Sequence, residues 1–548
     1  MQLDDSGLLI LRKRYLIKDE AGNPVETVDD LFRRVASTIA SAEANYRDGR
    51  REEMEGSFYE MMANMEFLPN SPTLMNAGRP LGQLAACFVL PIDDSLDSIF
   101  DQVKLTAKLH QTGGGTGFSF SRLRPKNDTV GSTMGAASGP VSFIRVINCS
   151  TEVMKQGGTR RGANMGILRI DHPDIEEFVT VKRDPAELTN FNLSVAITDG
   201  FMEAWAHGGM FPLVNPRTKK EVRKVRAQDL LRLIAESAWV SGDPGVIFID
   251  TINRANPTPR IGEIEATNPC GEQPLLPYES CCLGSINLSK LVRDGDLDWE
   301  RLKVLTHLGV QFLDNVIDVS AYPSPEITRI TRANRKIGLG VMGFAHLLIR
   351  LGLSYDSAEA ESMGEKVMGF IQRESKIASN QLADARGPFP NYKGSVWERE
   401  NFPQRNATTT TVAPTGTLSL IAGCASGIEP IFDVHYHRLL LGDIDVEMED
   451  SLWQEMKSAS PHGASLEQLF RKAYDVAPEY HLRMQKAFQN HVDNAVSKTI
   501  NLPESATPDE ILAIYADAHR LGLKGTTVFR NRSRDYQILS CGTHQICS

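Results

Sequence analysis

The first 80 residues carry the hydrophobic spacing of amphipathic helices. Thr27 is a residue type that caps helix N-termini, and the acidic residues after it suit the positive end of a helix dipole. The apolar positions that follow repeat on one helical face: Leu31, Val35, Ile39 and Ala42. A second helical pattern covers about residues 52–68 and ends at Pro69. The spacing therefore predicts a helical N-terminal region over residues 1–80.

From about residue 67 onward, short apolar runs of strand length alternate with helical stretches. Such runs occur, among others, at residues 87–90, 166–170, 245–249 and 408–413. This alternation is typical of α/β architecture, which we predict for residues 81–530. Within that region, residues 445–523 have a helical pattern. Residues 531–548 are polar and lack apolar periodicity, which predicts a mobile tail.

The charge balance of the chain argues against a nucleic-acid partner. Its 548 residues include 59 Lys and Arg against 69 Asp and Glu, a formal net charge of −10. Binding to a phosphate backbone is driven by clustered cations, which this balance does not favour. The N-terminus lacks a signal-peptide pattern, and no stretch is apolar enough to span a bilayer. We therefore predict a cytoplasmic protein without a membrane partner.

The cysteine content also limits the classes of protein. Eight cysteines are too few for a disulfide scaffold in a chain of 548 residues. They are Cys87, Cys149, Cys270, Cys281, Cys282, Cys424, Cys541 and Cys547. Most cysteines in a reducing compartment are buried as small apolar side chains. No pair of CxxC motifs is present and no metal site is predicted, although Cys541 and Cys547 with His544 between them leave zinc open as an alternative.

The densest group of reactive residue types is Asn268-Pro269-Cys270-Gly271-Glu272, which combines an amide, a thiol and a carboxylate. An extended segment would point these three side chains the same way, whereas Pro269 and Gly271 favour the tip of a loop. A nearby carboxylate disfavours a thiolate, so hydrogen-atom chemistry on a neutral thiol fits better than nucleophilic catalysis. A Pro-Gly turn with a buried cysteine stays open as an alternative.

This motif resembles the finger-loop motif of ribonucleotide reductases, and further segments resemble the same family in the same order. They are residues 70–78 (NSPTLMNAG), the pair Ala86 and Cys87, residues 113–119 (GGGTGFS), residues 280–288 (SCCLGSINL) and residues 413–417 (APTGT). The resemblance covers about residues 8–535. It implies a ten-stranded α/β barrel with Cys270 on a loop inside it, and reduction of ribonucleotides to 2′-deoxyribonucleotides by radical chemistry.

The resemblance also implies roles for individual side chains. Cys270, as a thiyl radical, would abstract the 3′ hydrogen of the substrate. Glu272 would act as base toward the 3′-hydroxyl, and Asn268 would hydrogen-bond the ribose. Cys87 and Cys281 would be the reducing pair and would end as a disulfide.

Cys282 departs from the family pattern, which more often has Asn after the second cysteine of the reducing pair. Which of the two adjacent sulfurs pairs with Cys87 therefore stays open. The eleven-residue step from Cys270 favours Cys281. On a strand, Cys282 would point to the opposite face.

Three groups of binding residues follow from the resemblance. The substrate would contact Ser71, Ala86, Cys87, Gly115, the motif Asn268, Pro269, Cys270, Gly271 and Glu272, and the phosphate loop Pro414, Thr415, Gly416, Thr417 and Leu418. A deoxynucleoside triphosphate effector would contact Asp94, Ser95, Leu96, Arg124 and Lys126. A specificity loop would carry its effect to the substrate through Lys155, Gly157, Gly158, Thr159, Arg160, Arg161 and Asn164.

The source of the radical is indicated by two features of other branches of the family that this sequence lacks. The oxygen-dependent branch needs two adjacent tyrosines near the end of the barrel, but residues 522–530 read GLKGTTVFR. Gly542 does not lie in a recognisable glycyl-radical motif. Adenosylcobalamin is the remaining cofactor, and the GTTVFR segment resembles that branch. The oxygen-dependent large subunit and a glycyl-radical enzyme on the same barrel stay as alternatives, as does a nucleotide-sensing protein that keeps only the effector site.

The implied partners are small molecules, a reductant and a second copy of the chain. The substrate would be a ribonucleoside diphosphate or triphosphate, and the reductant a thioredoxin-like protein or another dithiol. A mobile tail could bring Cys541 and Cys547 to the Cys87–Cys281 disulfide and reduce it by thiol exchange. The family resemblance favours a homodimer.

Overall fold

The structure is a computed structural model, and it describes residues 3–46, 50–131, 134–154, 162–440, 444–459, 466–533 and 539–541. Its α-helices are, in chain order, α1 Asp5–Ile10, α2 Val28–Ala40, α3 Arg51–Ala63, α4 Ser71–Asn76, α5 Leu96–Gln111, α6 Pro140–Met154, α7 Ile175–Thr180, α8 Asp199–Ala206, α9 Ala227–Ser241, α10 Ile249–Arg254, α11 Trp299–Val319, α12 Pro325–Asn334, α13 Phe344–Arg350, α14 Ala358–Arg386, α15 Val396–Arg399, α16 Gly416–Ala422, α17 Ser451–Ala459, α18 Leu466–Leu469, α19 Pro478–Gln489 and α20 Pro508–Arg520. Its strands are β1 Phe67–Pro69, β2 Cys87–Pro91, β3 Gly115–Ser119, β4 Asn164–Arg169, β5 Phe191–Ile197, β6 Met210–Val214, β7 Glu221–Arg226, β8 Gly245–Phe248, β9 Ala266–Thr267, β10 Pro274–Leu275, β11 Ser280–Asn287, β12 Val292–Arg293, β13 Asp296–Leu297, β14 Ile337–Met342, β15 His435–Leu440, β16 Ile444–Glu449, β17 Thr499–Leu502, β18 Gly525–Arg530 and β19 Leu539–Cys541.

The described residues fall into two compact units. The first unit contains the described residues of 1–86 and 281–498, together with β19. The second unit contains the described residues of 87–280 and 499–535. Each unit contains paired β-strands and buried apolar side chains.

Helix α2, in the first unit, begins where the sequence predicts. The Thr27 side chain accepts from the backbone N–H of Asp30, and the Asp30 carboxylate accepts from the backbone N–H of Thr27. This reciprocal capping satisfies two backbone donors that the helix leaves open. Leu31, Val35 and Ile39 are fully buried where α2 packs against α3 and α11. The predicted helix and its apolar face are confirmed as far as Ile39, and Ala42 is buried just beyond the end of α2.

Strand β11 is central in the sheet of the first unit. It pairs antiparallel with β1 and parallel with β14, and its residues are all buried. Residues 408–413 run beside β14 through a bridge between Leu339 and Thr410. Gly340 on β14 lies so close to this segment that an added Cβ would stand 2.1 Å from the carbonyl oxygen of Thr411. Strand β14 therefore positions the segment that leads into the phosphate loop (residues 414–418).

A buried ion-pair cluster anchors the chain just before that segment. Asp314 on α11 is fully buried and pairs with the guanidinium groups of Arg335, Arg386 and Arg405. Burial opposes ionisation of Asp314, but the three cations outweigh it and hold its pKa below the usual value. Arg405 stands three residues before Thr408, so the cluster fixes the chain where residues 408–413 begin.

Seven strands of the second unit form one sheet in the order β2-β3-β4-β5-β8-β18-β17. Strands β2, β3, β4, β5 and β8 pair in parallel, β18 is antiparallel to β8, and β17 is parallel to β18. Phe118, Phe120 and Phe191 pack together in the core of this unit. Helices α5 and α6 pack on each other, as do α9 and α20. The predicted alternation of strands and helices is confirmed.

The prediction of a helical region over residues 445–523 is only partly right. Helices α17 to α20 lie there, but β16 pairs antiparallel with β15, and β17 pairs with β18. Ile444, Val446 and Met448 alternate with acidic residues, and this period of two forms a strand. Strand β19, from the segment predicted as a tail, pairs antiparallel with β15. In the described ranges, no helix is long and apolar enough to cross a membrane.

Candidate active site

A short hairpin in the second unit carries the motif around Cys270. Strands β9 and β10 pair antiparallel, with Thr267 opposite Pro274, and residues 268–273 form the tip between them. The backbone N–H of Gly271 donates to the carbonyl oxygen of Asn268 at 3.1 Å. Gly271 has a φ of +80°, a conformation that glycine adopts without strain. The predicted loop tip is confirmed, and we call residues 266–275 the finger hairpin.

The side chain of Asn268 is fixed at both ends. Its Oδ1 accepts from the backbone N–H of Gln273 at 2.9 Å, and its Nδ2 donates to the sulfur of Cys87 at 3.1 Å. Asn268 is only 2% exposed. Because a carbonyl oxygen can only accept, the bond from Gln273 orients the amide so that its NH₂ group faces Cys87.

A buried carboxylate, that of Glu272, accepts a hydrogen bond from the same sulfur. The thiol of Cys87 donates to Oε1 of Glu272 at 4.0 Å, and Cys87 and Glu272 are 3% and 2% exposed. Cys87 is the first residue of β2 and stands in register with Gly115 of β3. The structure thus brings Cys87, Asn268, Glu272 and Gly115 together within one unit.

Cys270 is placed differently from its neighbours in the motif. Its side chain is exposed at the tip, whereas Asn268 and Glu272 are buried. The turn from Asn268 to Gly271 breaks the alternation that an extended segment would show. The alternative of a Pro-Gly turn that buries its cysteine is therefore wrong.

Two residues that sequence reasoning did not select hold the finger hairpin. Gly117 on β3 lies against Thr267, and an added Cβ would stand 1.7 Å from the Thr267 carbonyl oxygen. Asn192 on β5 donates through Nδ2 to the carbonyl oxygen of Pro269 at 2.9 Å. The signal for Asn192 is a polar residue within the apolar run FNLSVAI. Gly117 lies in a motif that carries the family resemblance, but its contact with Thr267 is not visible in the sequence.

Two adjacent cysteines, Cys281 of the predicted reducing pair and Cys282, lie on β11 in the first unit. Both Cys281 and Cys282 are fully buried. The thiol of Cys281 donates to the carbonyl oxygens of Lys336 and Cys282, both at 3.6 Å. Burial raises the pKa of Cys282 to about 12. A thiol with such a pKa remains protonated near neutral pH.

The phosphate loop and Ser71, which are predicted substrate residues of the first unit, lie at helix ends, whereas Ala86 directly precedes β2. Thr415 has a φ of +52° and is followed directly by α16. Its Oγ1 accepts from the backbone N–H of Gly427 at 2.8 Å. Ser71 begins α4 and hydrogen-bonds the hydroxyl of Tyr15 at 2.8 Å. The backbone N–H of Ala86 donates to the carbonyl oxygen of Cys281 at 3.3 Å.

Four of the five predicted effector residues meet at the start of α5 in the second unit. Ser95 caps this helix by accepting from the backbone N–H of Ser98, and Leu96 is its first residue. Arg124 pairs with Asp94 at 2.8 Å. Lys126 pairs instead with Glu177 of α7, at 3.2 Å. Asp94 and Arg124 thus form one ion pair, and Lys126 forms a separate ion pair with Glu177.

Some predicted residues lie outside the described part of the chain. They are Lys155, Gly157, Gly158, Thr159, Arg160, Arg161 and Cys547, and of Cys541 only the backbone in β19 is described. Asn164, the last residue of the predicted specificity loop, begins β4 and is buried. Its Oδ1 accepts from Oγ1 of Thr116 at 2.7 Å. Among the described residues, no three His, Cys, Asp or Glu side chains are grouped so that they could hold a metal ion.

Together, the fold and the site define an α/β enzyme chain with a thiol-centred site. The chain matches the family model for the barrel domain of ribonucleotide reductase over residues 85–404 and 399–529, and the model for the all-alpha domain over residues 1–82. It is 45% identical to the vitamin B12-dependent ribonucleoside-diphosphate reductase of Thermoplasma acidophilum, over 99% of this chain and 81% of that protein. It is 49% identical to the protein of the same description from Mycobacterium tuberculosis, over 98% of this chain and 81% of the relative.

Identity falls to 27% with the ribonucleoside-diphosphate reductase subunit alpha of Chlamydia pneumoniae, over 97% of this chain and 59% of that protein. The chain therefore belongs to the ribonucleotide reductase family, in its vitamin B12-dependent branch. This membership confirms the resemblance found in the sequence. The barrel and all-alpha descriptions confirm the predicted fold class.

Proposed function

We propose that this chain reduces ribonucleoside diphosphates to 2′-deoxyribonucleoside diphosphates by thiyl-radical chemistry. The observation that carries the proposal is the geometry of the finger hairpin. Its Asn268 and Glu272 side chains hydrogen-bond the sulfur of Cys87, and Cys270 is exposed at its tip. The diphosphate form of the substrate follows from the names of the relatives with 45% and 49% identity. Those names, together with the missing tyrosine pair, speak against the oxygen-dependent alternative.

Adenosylcobalamin is the cofactor, in keeping with relatives that are named vitamin B12-dependent. When bound, it supplies an unpaired electron by homolysis of its cobalt–carbon bond. For this chemistry the cofactor would have to come close to the reacting thiol, so that thiol must be accessible. The exposed side chain of Cys270 fits this requirement, whereas the buried thiol of Cys87 does not.

The geometry of the second unit supports a division of roles. Cys270, as a thiyl radical, takes the 3′ hydrogen from the substrate ribose. Glu272, a buried carboxylate, accepts the proton of the 3′-hydroxyl. The thiol of Cys87 already points to Glu272 and gives a proton to the departing 2′-hydroxyl. Asn268 donates to Cys87 in the structure and is oriented to hydrogen-bond the ribose when substrate is present.

Reduction of the substrate leaves Cys87 and Cys281 oxidised to a disulfide, which an external dithiol must reduce. Thiol exchange proceeds through a thiolate, and burial raises the pKa of Cys282 to about 12, which disfavours its thiolate. The eleven-residue step from Cys270 and the alternation of side chains along β11 support Cys281 as the partner of Cys87. Re-reduction through Cys541 and Cys547, or by a thioredoxin-like protein directly, is part of the proposal.

Single substitutions on β11 distinguish the roles of Cys281 and Cys282 in reduction. Cys281→Ser should allow at most about one product per active site, because no disulfide can form with Cys87. Cys282→Ser, the matched control on the next residue, should turn over many times. Product per enzyme after a long incubation with dithiol measures both. Multiple turnovers of Cys281→Ser, or a block in Cys282→Ser, would assign the reducing role to Cys282.

Deoxynucleoside triphosphate control is a further part of the proposal. Asp94 and Arg124 meet beside the N-terminus of α5, where a sugar hydroxyl and a phosphate could each find a partner. Helices α5 and α6 also expose Leu96, Phe100 and Val153. These apolar side chains support a homodimer through this helix pair. The division into residues 1–80, 81–530 and 531–548 and the cytoplasmic location stay predictions.

The decisive experiment is a turnover assay with purified protein, a ribonucleoside diphosphate and a dithiol. We expect product only when adenosylcobalamin is added, without oxygen or a second subunit, and a substrate preference that changes with each added deoxynucleoside triphosphate. Lack of product from all four diphosphates would refute the proposed function. Product without cobalamin would refute the cofactor and favour another radical source.

A further inference from the structure

Arg438 on β15 lies beside the phosphate loop of the first unit. Its Nη2 donates to the carbonyl oxygen of Gly416 at 2.9 Å. A Cβ added to Gly416 would stand 3.6 Å from the same nitrogen. The guanidinium group therefore lies against the residue at which the loop enters α16.

The charge of Arg438 is not balanced by a carboxylate among the described residues. Its side-chain partners there are the carbonyl of Gly416 and the hydroxyl of Tyr436. Other cations of this unit are paired differently: Arg350 binds Glu455 at 2.8 Å, and Lys472 binds Asp433 at 3.0 Å. A partly buried cation without a counter-ion is unfavourable, which is consistent with a lowered pKa of Arg438 caused by burial.

The two carboxylates whose charges act on Tyr436 are already engaged. Asp450 pairs with His346 at 2.9 Å and accepts from two backbone N–H groups at the start of α17. Asp4 accepts from the backbone N–H of Gly7 at 2.6 Å and caps α1. These two carboxylates are therefore not available to neutralise Arg438, and an anionic ligand could do so.

We propose that Arg438 binds the diphosphate of the substrate at the phosphate loop. The inference rests on the proposed function and adds a residue to it. A guanidinium group donates two parallel hydrogen bonds to phosphate oxygens, whereas the loop itself offers backbone N–H groups and hydroxyls. Arg438 thus supplies the positive charge that residues 414–418 lack.

Two substitutions distinguish a charge contact from a merely structural one. Arg438→Gln keeps a donor for the carbonyl of Gly416 and removes the charge, and Arg438→Lys keeps the charge. For Arg438→Gln we expect the KM for a ribonucleoside diphosphate and the inhibition constant of inorganic pyrophosphate to rise about 10- to 100-fold. For Arg438→Lys we expect both to stay within about 5-fold, and kcat to change little in either variant.

Arg350→Gln is the matched control, because it removes an arginine charge that Glu455 already neutralises. It should leave pyrophosphate inhibition unchanged. Direct binding of pyrophosphate, measured by calorimetry without cobalamin, gives a readout that does not depend on the cofactor. If Arg438→Gln does not fold, Arg438→Met carries the test: it keeps the aliphatic stem and removes the charge, so pyrophosphate should bind about 10- to 100-fold more weakly than to the wild type.

The outcomes separate this inference from the proposed function. A wild type that reduces no ribonucleotide refutes the function. An active wild type whose pyrophosphate affinity is equal in Arg438→Gln, or in Arg438→Met where that variant is used, refutes the inference. The phosphodiester of cobalamin is a second anion with similar chemistry. If Arg438→Gln weakens binding of adenosylcobalamin while the diphosphate constants hold, the substrate assignment is wrong.

Discussion

Replacement of Cys270 by alanine should lower kcat for deoxyribonucleotide formation by at least about 10⁴-fold, the loss expected when a group that reacts directly is removed. Cys270 is the thiol at the exposed tip of the finger hairpin, and alanine offers no sulfur that could carry the radical. The turn itself is held by backbone and Asn268 contacts that do not involve the sulfur of Cys270. The measurement is product formation with adenosylcobalamin and excess dithiol.

The control is Cys149→Ala, which removes another exposed thiol of the same unit from helix α6. Its activity should stay near that of the wild type, and both variants should melt at the wild-type temperature. Activity of Cys270→Ala above about 1% of the wild type would contradict a radical on this sulfur. A lowered melting temperature together with lost activity would point to a structural role of the tip instead.

Local patterns in the sequence predict the elements that depend on near neighbours. The cap at Thr27 and the apolar face of α2 follow from residues within four positions of each other. The same holds for the loop tip at residues 268–273, where Pro269 and Gly271 mark the turn. Strand β16 was not predicted, because its short period-two pattern is embedded in a longer stretch with helical spacing.

The geometry of the site depends instead on contacts between distant parts of the chain. Asn268 meets a sulfur 181 positions earlier, and Glu272 meets the same sulfur across 185 positions. No periodicity encodes such a meeting, so the family resemblance, not local pattern, named these residues together. Asn192, which contacts Pro269, and Arg438, which contacts Gly416, lie outside the motifs, and only the folded chain reveals their contacts.

The second large effect concerns Gly117, which touches no reacting atom. An alanine Cβ at this position would stand 1.7 Å from the Thr267 carbonyl oxygen, whereas real Cβ atoms keep at least 3.0 Å. The finger hairpin or β3 must therefore move by more than 1 Å. Overpacking of this kind costs about 1–3 kcal/mol of folding free energy, and a displacement of about 1 Å at a reacting group lowers the rate about 10²-fold.

Gly117→Ala should therefore lose about 10²-fold in kcat while it still folds, because its contact is with the stem that sets the position of Cys270. Gly200→Ala on α8 is the matched control: the added Cβ meets no atom within 4 Å, and activity should not change. The measurements are kcat and the midpoint of thermal unfolding. Wild-type activity in Gly117→Ala would mean that the finger hairpin tolerates displacement, and that its close contact with β3 does not position the thiol.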